Sequence, residues 1–377
     1  MMLVEILYSK RKEDSPMIND LSLKEKIGQM MMVGINGTEV DDRVRNLILN
    51  YKIGGVILYK KNYKTYDDMV KIIADLKELN SCNKIPLFIA IDQEGGRVNR
   101  MPPEFHNLLS AYRLVNTKNT NVIKEAGEIT GRILYESGYN MNFAPVMDVL
   151  NNETSEAIGN RCYGNNPEDV SEYAIPLMRQ LQSHKIIPVV KHFPGQGAAK
   201  IDSHYFVPRI KNIKQRDVKP FVDAIENGAD AIMVGHIVVK SKNKICPASL
   251  SKKVIRDIRL KYNFKGLIMT DDLKMKAIRY LYGTKRAVKK AFLAGNDIVL
   301  FRFNKKDEVK AFKYIFKLAN KGKIKERRIN RSVARIIEMK QKYGIDDSFK
   351  SNKCNIDEIN SRIDVVNAFV EKCEKNI

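Results

Sequence analysis

Residue types able to do chemistry concentrate in three short segments of this chain. The first is Ile91-Asp92-Gln93-Glu94-Gly95-Gly96-Arg97-Val98-Asn99-Arg100. A carboxylate accepts hydrogen bonds from O–H groups and a guanidinium offers a planar fork of donors, so this block suits a hydroxyl-rich ligand. A tight turn with a capping acid is the plainer alternative. The second runs from Lys191-His192-Phe193-Pro194-Gly195-Gln196-Gly197 to Asp202-Ser203-His204. Its Pro-Gly-x-Gly punctuation predicts a surface loop able to close over a substrate. Asp202, two residues before His204, would fix the imidazole tautomer and raise its basicity, as an acid/base pair requires. A surface loop holding a metal, or nothing, is the other reading of D-x-H. The third is Met269-Thr270-Asp271-Asp272-Leu273-Lys274-Met275. Asp272 suits a cap on the following helix, which leaves Asp271 to act as nucleophile or base.

Those segments sit at repeated places in a wider pattern. Apolar, β-rich runs at 30–35, 53–59, 86–92, 142–149, 186–193, 231–239, 266–272 and 297–303 alternate with helical patterns. Such alternation predicts a parallel sheet with helical crossovers, and eight strands are the number that closes a (β/α)8 TIM-type barrel. A doubly wound open sheet is the rival arrangement. Ser22 and Glu25 have capping-box spacing ahead of the first helix, and Gly228 and Gly295 stand where later helices should stop. Ionisable residues then fall at strand ends: Asp92 on the third, Asp148 on the fourth, Lys191 and His192 on the fifth, His236 on the sixth and Asp271 on the seventh. One such residue is ordinarily a cap or a satisfied core group. Six on five consecutive strands mark the C-terminal rim where barrel enzymes do their chemistry.

The remaining composition narrows the field. A chain of 377 residues with 44% hydrophobic side chains can bury a large single core. The expected organisation is an N-terminal appendage at 1–16, with Met17 an alternative start, a catalytic barrel at 17–345 and a C-terminal helical extension at 346–377. The extension should dock on the barrel or mediate self-association. No run reaches the roughly 20 apolar residues of a membrane span, and the N-terminus lacks signal-peptide features. Five scattered cysteines without a C-x-x-C pair argue against a disulfide framework or zinc site and point to the cytoplasm. Residues 301–343 hold 15 Lys/Arg against 4 Asp/Glu, a large part of the net charge of +22. They fall on the outer faces of amphipathic helices without a nucleic-acid motif, so no nucleic-acid or membrane partner is expected. Neither nucleotide-loop spacing nor a metal-ligand cluster is present, and no cofactor is expected.

Together the motifs resemble glycoside hydrolase family 3, in its β-N-acetylglucosaminidase branch. The K-H-F-P-G-x-G-x-x-x-x-D-S-H motif of that branch is matched from Lys191 to His204, and D-Q-E-G-G-R-V-x-R from Asp92 to Arg100. I-G-x-R is matched from Ile158 to Arg161, and T/S-D-x-L-x-M from Thr270 to Met275. The sequence departs from the pattern at Gln196, usually His or Asp, and at Cys162, commonly Ser.

The resemblance implies a retaining β-N-acetylhexosaminidase in which Asp271 attacks the anomeric carbon. His204 would be the acid/base, oriented by Asp202, where most retaining glycosidases use a second carboxylate. Asp92, Arg100, Arg161, Lys191 and His192 would hold a terminal N-acetylglucosamine, while His236 and Asp148 either line the pocket or support it. The implied substrate is a sugar or muropeptide carrying N-acetylglucosamine, derived from peptidoglycan. A phosphorylase and a non-catalytic sugar-binding barrel are the alternatives. The sequence does not give the oligomeric state.

Overall fold

The computed structural model describes residues 16–151, 158–197, 208–242, 245–302, 307–348 and 353–375. Eight parallel strands form one sheet: β1 (Met31–Gly34), β2 (Gly55–Leu58), β3 (Phe88–Ile91), β4 (Met141–Asn142), β5 (Ile187–Phe193), β6 (Ala231–Val234), β7 (Leu267–Thr270) and β8 (Val299–Phe301). Their order is β8-β1-β2-β3-β4-β5-β6-β7. A parallel bridge between Met269 and Ile298, with Thr270 N donating to Ile298 O at 3.1 Å, joins the two ends. The sheet is therefore a (β/α)8 barrel. Every residue of β1, β2, β3, β6 and β7 is buried, as expected where helices cover one face and the barrel interior fills the other.

The strands are shorter than their apolar runs, and two depart from them most. β4 stops at Asn142 because Pro145 has no N–H to donate and interrupts the ladder. Irregular pairing resumes where Met147 N donates to Lys191 O at 2.7 Å. The run 231–239 likewise divides, since Val238–Val239 leaves the barrel to pair with Arg209–Ile210 in a separate ribbon.

The helices follow local signals. Ser22 and Glu25 form the expected capping box on Leu23–Gln29, with Ser22 N donating to Glu25 Oε2 at 2.8 Å. Helices Tyr66–Asn80, Thr120–Ser137 and Pro167–Ser183 cover the barrel with their apolar stripes inward. Lys276–Ala294 is broken at Gly283, so its regular second part begins near 284. Gly228 and Gly295 adopt φ of 84° and 119° directly after helices. At the N-terminal end, buried Lys340 donates to Gln29 Oε1, Gly54 O and Pro86 O at 2.8, 2.9 and 2.6 Å. Asp297 at the same end receives the Arg335 and Arg259 guanidiniums at 2.8 and 2.5 Å. Burial opposes its charge, yet the two cations hold its carboxyl down at about 2.

The C-terminal helix Ile356–Glu374 lies against Thr120–Ser137. Ile359, Ile363, Val366 and Val370 form its buried stripe. Glu358 pairs with Arg132, and Arg362 with Glu125 and Glu128, along the flank.

Candidate active site at the C-terminal rim

The chain leaves β3 through a turn whose backbone is fixed before any ligand arrives. Asn142, the last residue of β4, accepts from Gln93 N and donates to Gln93 O, both at 2.9 Å. Gln93 in turn accepts from Arg100 N at 2.8 Å, and Tyr63 Oη donates to Arg100 O at 2.8 Å. Arg100 is therefore held on both sides of its Cα. Its Nε is buried and meets no acceptor among the described residues, which leaves a donor for a ligand to satisfy.

Lys191, delivered by β5 and only 2% exposed, is the centre of the site. Its ammonium lies 2.7 Å from Asp92 Oδ1 and 2.5 Å from Glu94 Oε1. Glu94 also takes the fork of Arg161, from Nε at 2.8 Å and Nη2 at 2.7 Å. Burial works against the Glu94 charge, but the Lys191 and Arg161 cations outweigh it and keep its carboxyl well below the usual range. Two acids and two bases thus form a neutral, nearly dry cluster joining β3, β5 and the 159–161 turn. Glu94 was not among the expected site residues. The signal was its position two residues beyond Asp92 on the same rim loop.

Asp148, fully buried beyond β4, organises the β5 loop. Its Oδ2 accepts from His192 Nδ1 at 2.7 Å and His192 N at 3.2 Å, and its Oδ1 accepts from Gln196 N at 2.6 Å. That carboxylate fixes the ring so that Nε2 is the nitrogen left for a ligand. Gln196 thus contributes through its backbone at the position where the motif departs from its relatives. Gly197 is required by proximity, since a Cβ there would fall 1.7 Å from Val149 O. Asp202 and His204 lie outside the described residues.

β7 brings Asp271 to the same end, where its Oδ1 accepts from Asp272 N at 2.7 Å. Asp272 does not cap the following helix. Its Oδ1 accepts from Lys274 N at 2.9 Å and Arg302 N at 2.8 Å, tying β7 to β8, because residues 273–275 intervene before Lys276 starts the helix and Met275 takes the cap position. Burial, aided by the Asp271 charge, lifts Asp272 to about 6 against the pull of those two N–H groups. His236 sits behind this loop: its Nδ1 meets Ser249 Oγ at 2.7 Å and its Nε2 donates to Asp272 O at 2.8 Å. With both ring nitrogens engaged, His236 supports the Asp271–Asp272 turn.

Tyr59 and Arg302 complete the rim. Tyr59 follows β2 directly, Arg302 follows β8, and the guanidinium lies 4.9 Å from the ring centroid. Burial and the charges of Asp92, Asp272 and Asp271 push the Tyr59 phenol well above its ordinary value. Their position immediately after a strand was the available signal. Among the described residues no group of three His, Cys, Asp or Glu side chains is placed to hold a metal ion, and no helix is long and apolar enough to cross a membrane.

The family description "Glycosyl hydrolase family 3 N terminal domain" matches residues 22–339. A β-hexosaminidase of Nitrosomonas eutropha is 33% identical over 281 residues, 72% of this chain and 79% of that protein. The β-hexosaminidase LpqI of Mycobacterium tuberculosis is 30% identical over 337 residues, 85% of this chain and 83% of its own length. Among solved structures, a family 3 β-N-acetylglucosaminidase from a Paenibacillus species superposes with a TM-score of 0.89 at 31% identity, covering 93% of this chain and 69% of that one. A barrel rim carrying this acid–base cluster, together with those relatives, places the chain in glycoside hydrolase family 3 as a glycoside hydrolase.

Proposed function

We propose that this enzyme is a retaining β-N-acetylhexosaminidase that removes terminal β-linked N-acetylglucosamine from peptidoglycan-derived muropeptides. The observation that carries the reading is the preorganised rim of Asp92, Glu94, Lys191, Arg161, His192 and Arg100 beside Asp271, in a chain whose relatives are named β-hexosaminidases. Lys191 holds one oxygen of Asp92, and the other oxygen accepts from a sugar hydroxyl. Arg100 and His192 Nε2 supply further polar contacts around the same ring. A site built to hydrogen-bond hydroxyls rejects analogues lacking them, because its own groups are then left unpaired.

In the chemical step, Asp271 attacks the anomeric carbon as the glycosidic C–O bond breaks, and the leaving oxygen takes a proton from His204. Water then enters: His204 accepts its proton, the hydroxyl attacks the same carbon, and the Asp271 ester bond breaks. Asp202 orients His204 in both halves. An imidazole titrates near neutrality, so both protonation states are available within one turnover. Five scattered cysteines support a reducing, cytoplasmic setting.

The test is turnover of p-nitrophenyl N-acetyl-β-glucosaminide beside the matching glucoside, with and without phosphate. Selective, phosphate-independent cleavage of the N-acetyl compound with retained anomeric configuration is expected. Equal cleavage of both would refute the specificity. Phosphate-dependent release of a sugar 1-phosphate would replace hydrolysis with phosphorolysis.

A further inference from the structure

The C-terminal helix Ile356–Glu374 carries, beside its apolar stripe, a second stripe at Asn360, Asp364 and Asn367, spaced four and three residues apart on one face. Both asparagines grip the backbone of the segment 104–109 with a pair of bonds. Asn360 Oδ1 accepts from His106 N and its Nδ2 donates to Glu104 O, each at 2.8 Å. Asn367 Oδ1 accepts from Leu109 N at 3.1 Å and its Nδ2 donates to Asn107 O at 2.9 Å. Between them Asp364 meets His106 Nδ1 at 2.7 Å. Hydrophobic docking of a helix needs no such device, because apolar contact carries no register. Paired amide bonds to main chain do fix register.

The gripped segment is what holds the sugar-facing turn. Gly96 N donates to Leu108 O and Asn107 Nδ2 donates to Gly96 O, both at 2.8 Å. Gly95 and Gly96 adopt φ of 86° and 53°, the left-handed region that favours glycine. A Cβ on Gly96 would fall 2.7 Å from Ser110 Cβ, so turn and segment touch without a gap. Asp92 and Glu94 lie just before this turn and Arg100 just after it.

We infer that Asn360 and Asn367 are positioning residues for sugar binding: the C-terminal helix sets the 104–109 segment, which sets the Gly95–Gly96 turn and hence Asp92 and Arg100. The inference rests on the reading of Asp92 and Arg100 as sugar-binding groups. Its effect belongs in ground-state affinity, because the turn does not carry Asp271.

The experiment compares Asn360→Ala/Asn367→Ala with Glu358→Gln/Arg362→Gln, which loosens the same helix at its flank without touching the clamp. Substrate is p-nitrophenyl N-acetyl-β-glucosaminide, and N-acetylglucosamine is the competitive inhibitor. The clamp variant should raise KM and the inhibition constant about tenfold, equivalent to about 1.4 kcal/mol of binding, with kcat within about twofold. Asn367→Asp alone, which keeps the acceptor for Leu109 N, should recover part of that loss relative to Asn367→Ala. The flank variant should lower the urea midpoint with KM unchanged. Loss of stability or of kcat in the clamp variant with KM unchanged would overturn the inference. Asp92→Ala separates the two readings: if it raises KM and the clamp variant does not, positioning alone falls. If Asp92→Ala leaves KM unchanged, the sugar-binding assignment falls with it.

Discussion

Replacing Glu94 with glutamine tests whether the rim is organised by buried charge or by shape. Glu94, Arg161 and Lys191 have side chains only 6%, 15% and 2% exposed, so the solvent screening that makes surface ion pairs nearly worthless does not operate here. The glutamine keeps one acceptor oxygen but turns an NH2 group toward two cations, and it removes the negative charge that offsets their desolvation. Breaking one partner of a buried cluster costs about 3–5 kcal/mol. A folded domain typically has about 5–15 kcal/mol in hand, so the variant should fold with a much lower urea midpoint. Lys191 then loses the second carboxylate that holds its ammonium beside Asp92, and a loss of about 1.4–2.8 kcal/mol in sugar binding would raise KM about 10–100-fold. Acid supplies a second check. The Glu94 carboxyl lies well below its ordinary value when folded, so its stabilisation is present above the unfolded value of about 4.3 and is lost as pH falls beneath it. The gap between wild type and Glu94→Gln should therefore narrow below about pH 4. A loss of under about 1 kcal/mol in unfolding free energy at pH 7, with KM unchanged, would refute the reasoning, since that is the size expected of a screened surface pair.

Other substitutions probe the chemistry. Asp271→Ala should abolish turnover while N-acetylglucosamine still binds, measured by calorimetry; undiminished turnover would remove Asp271 as nucleophile. His204→Ala should slow substrates with poor leaving groups at least about 100-fold more than an aryl glycoside, because only the former need protonation. Equal losses on both would exclude His204 as the acid. Asp272 has its folded value raised to about 6, so its contribution to stability is full below the unfolded value near 3.9 and is lost as pH rises through about 6. Asp272→Asn keeps an oxygen for Lys274 N and Arg302 N, and should raise the urea midpoint at pH 7.5 relative to wild type but not at pH 4. A lower midpoint at pH 7.5 would contradict that sign.

The sequence by itself determined whatever depends on neighbours within a few residues. Apolar runs located seven of the eight barrel strands and met β4 only at Asn142, Ser22 and Glu25 located a helix start, and strand-end polarity marked Asp92, Asp148, Lys191, His192 and Asp271 as rim residues. The motif spacing carried the family. Tertiary structure decided what depends on approach between distant segments. Arg161 and Glu94 are 67 residues apart, and nothing local to either announces a shared bidentate pair. Pro145 ended β4 at Asn142 while the apolar run continued, because hydropathy does not register a missing backbone donor. Asp272 has the sequence of a helix cap, yet β8 brings Arg302 N to it and makes it a brace between strands. Its partner His236 faces the same loop with both nitrogens occupied. The C-terminal helix was legible as an amphipathic helix, but which backbone its asparagines grip depends on where that helix lands. Hydrophobic periodicity states that a face must be buried; the geometry of the closed barrel chooses what covers it.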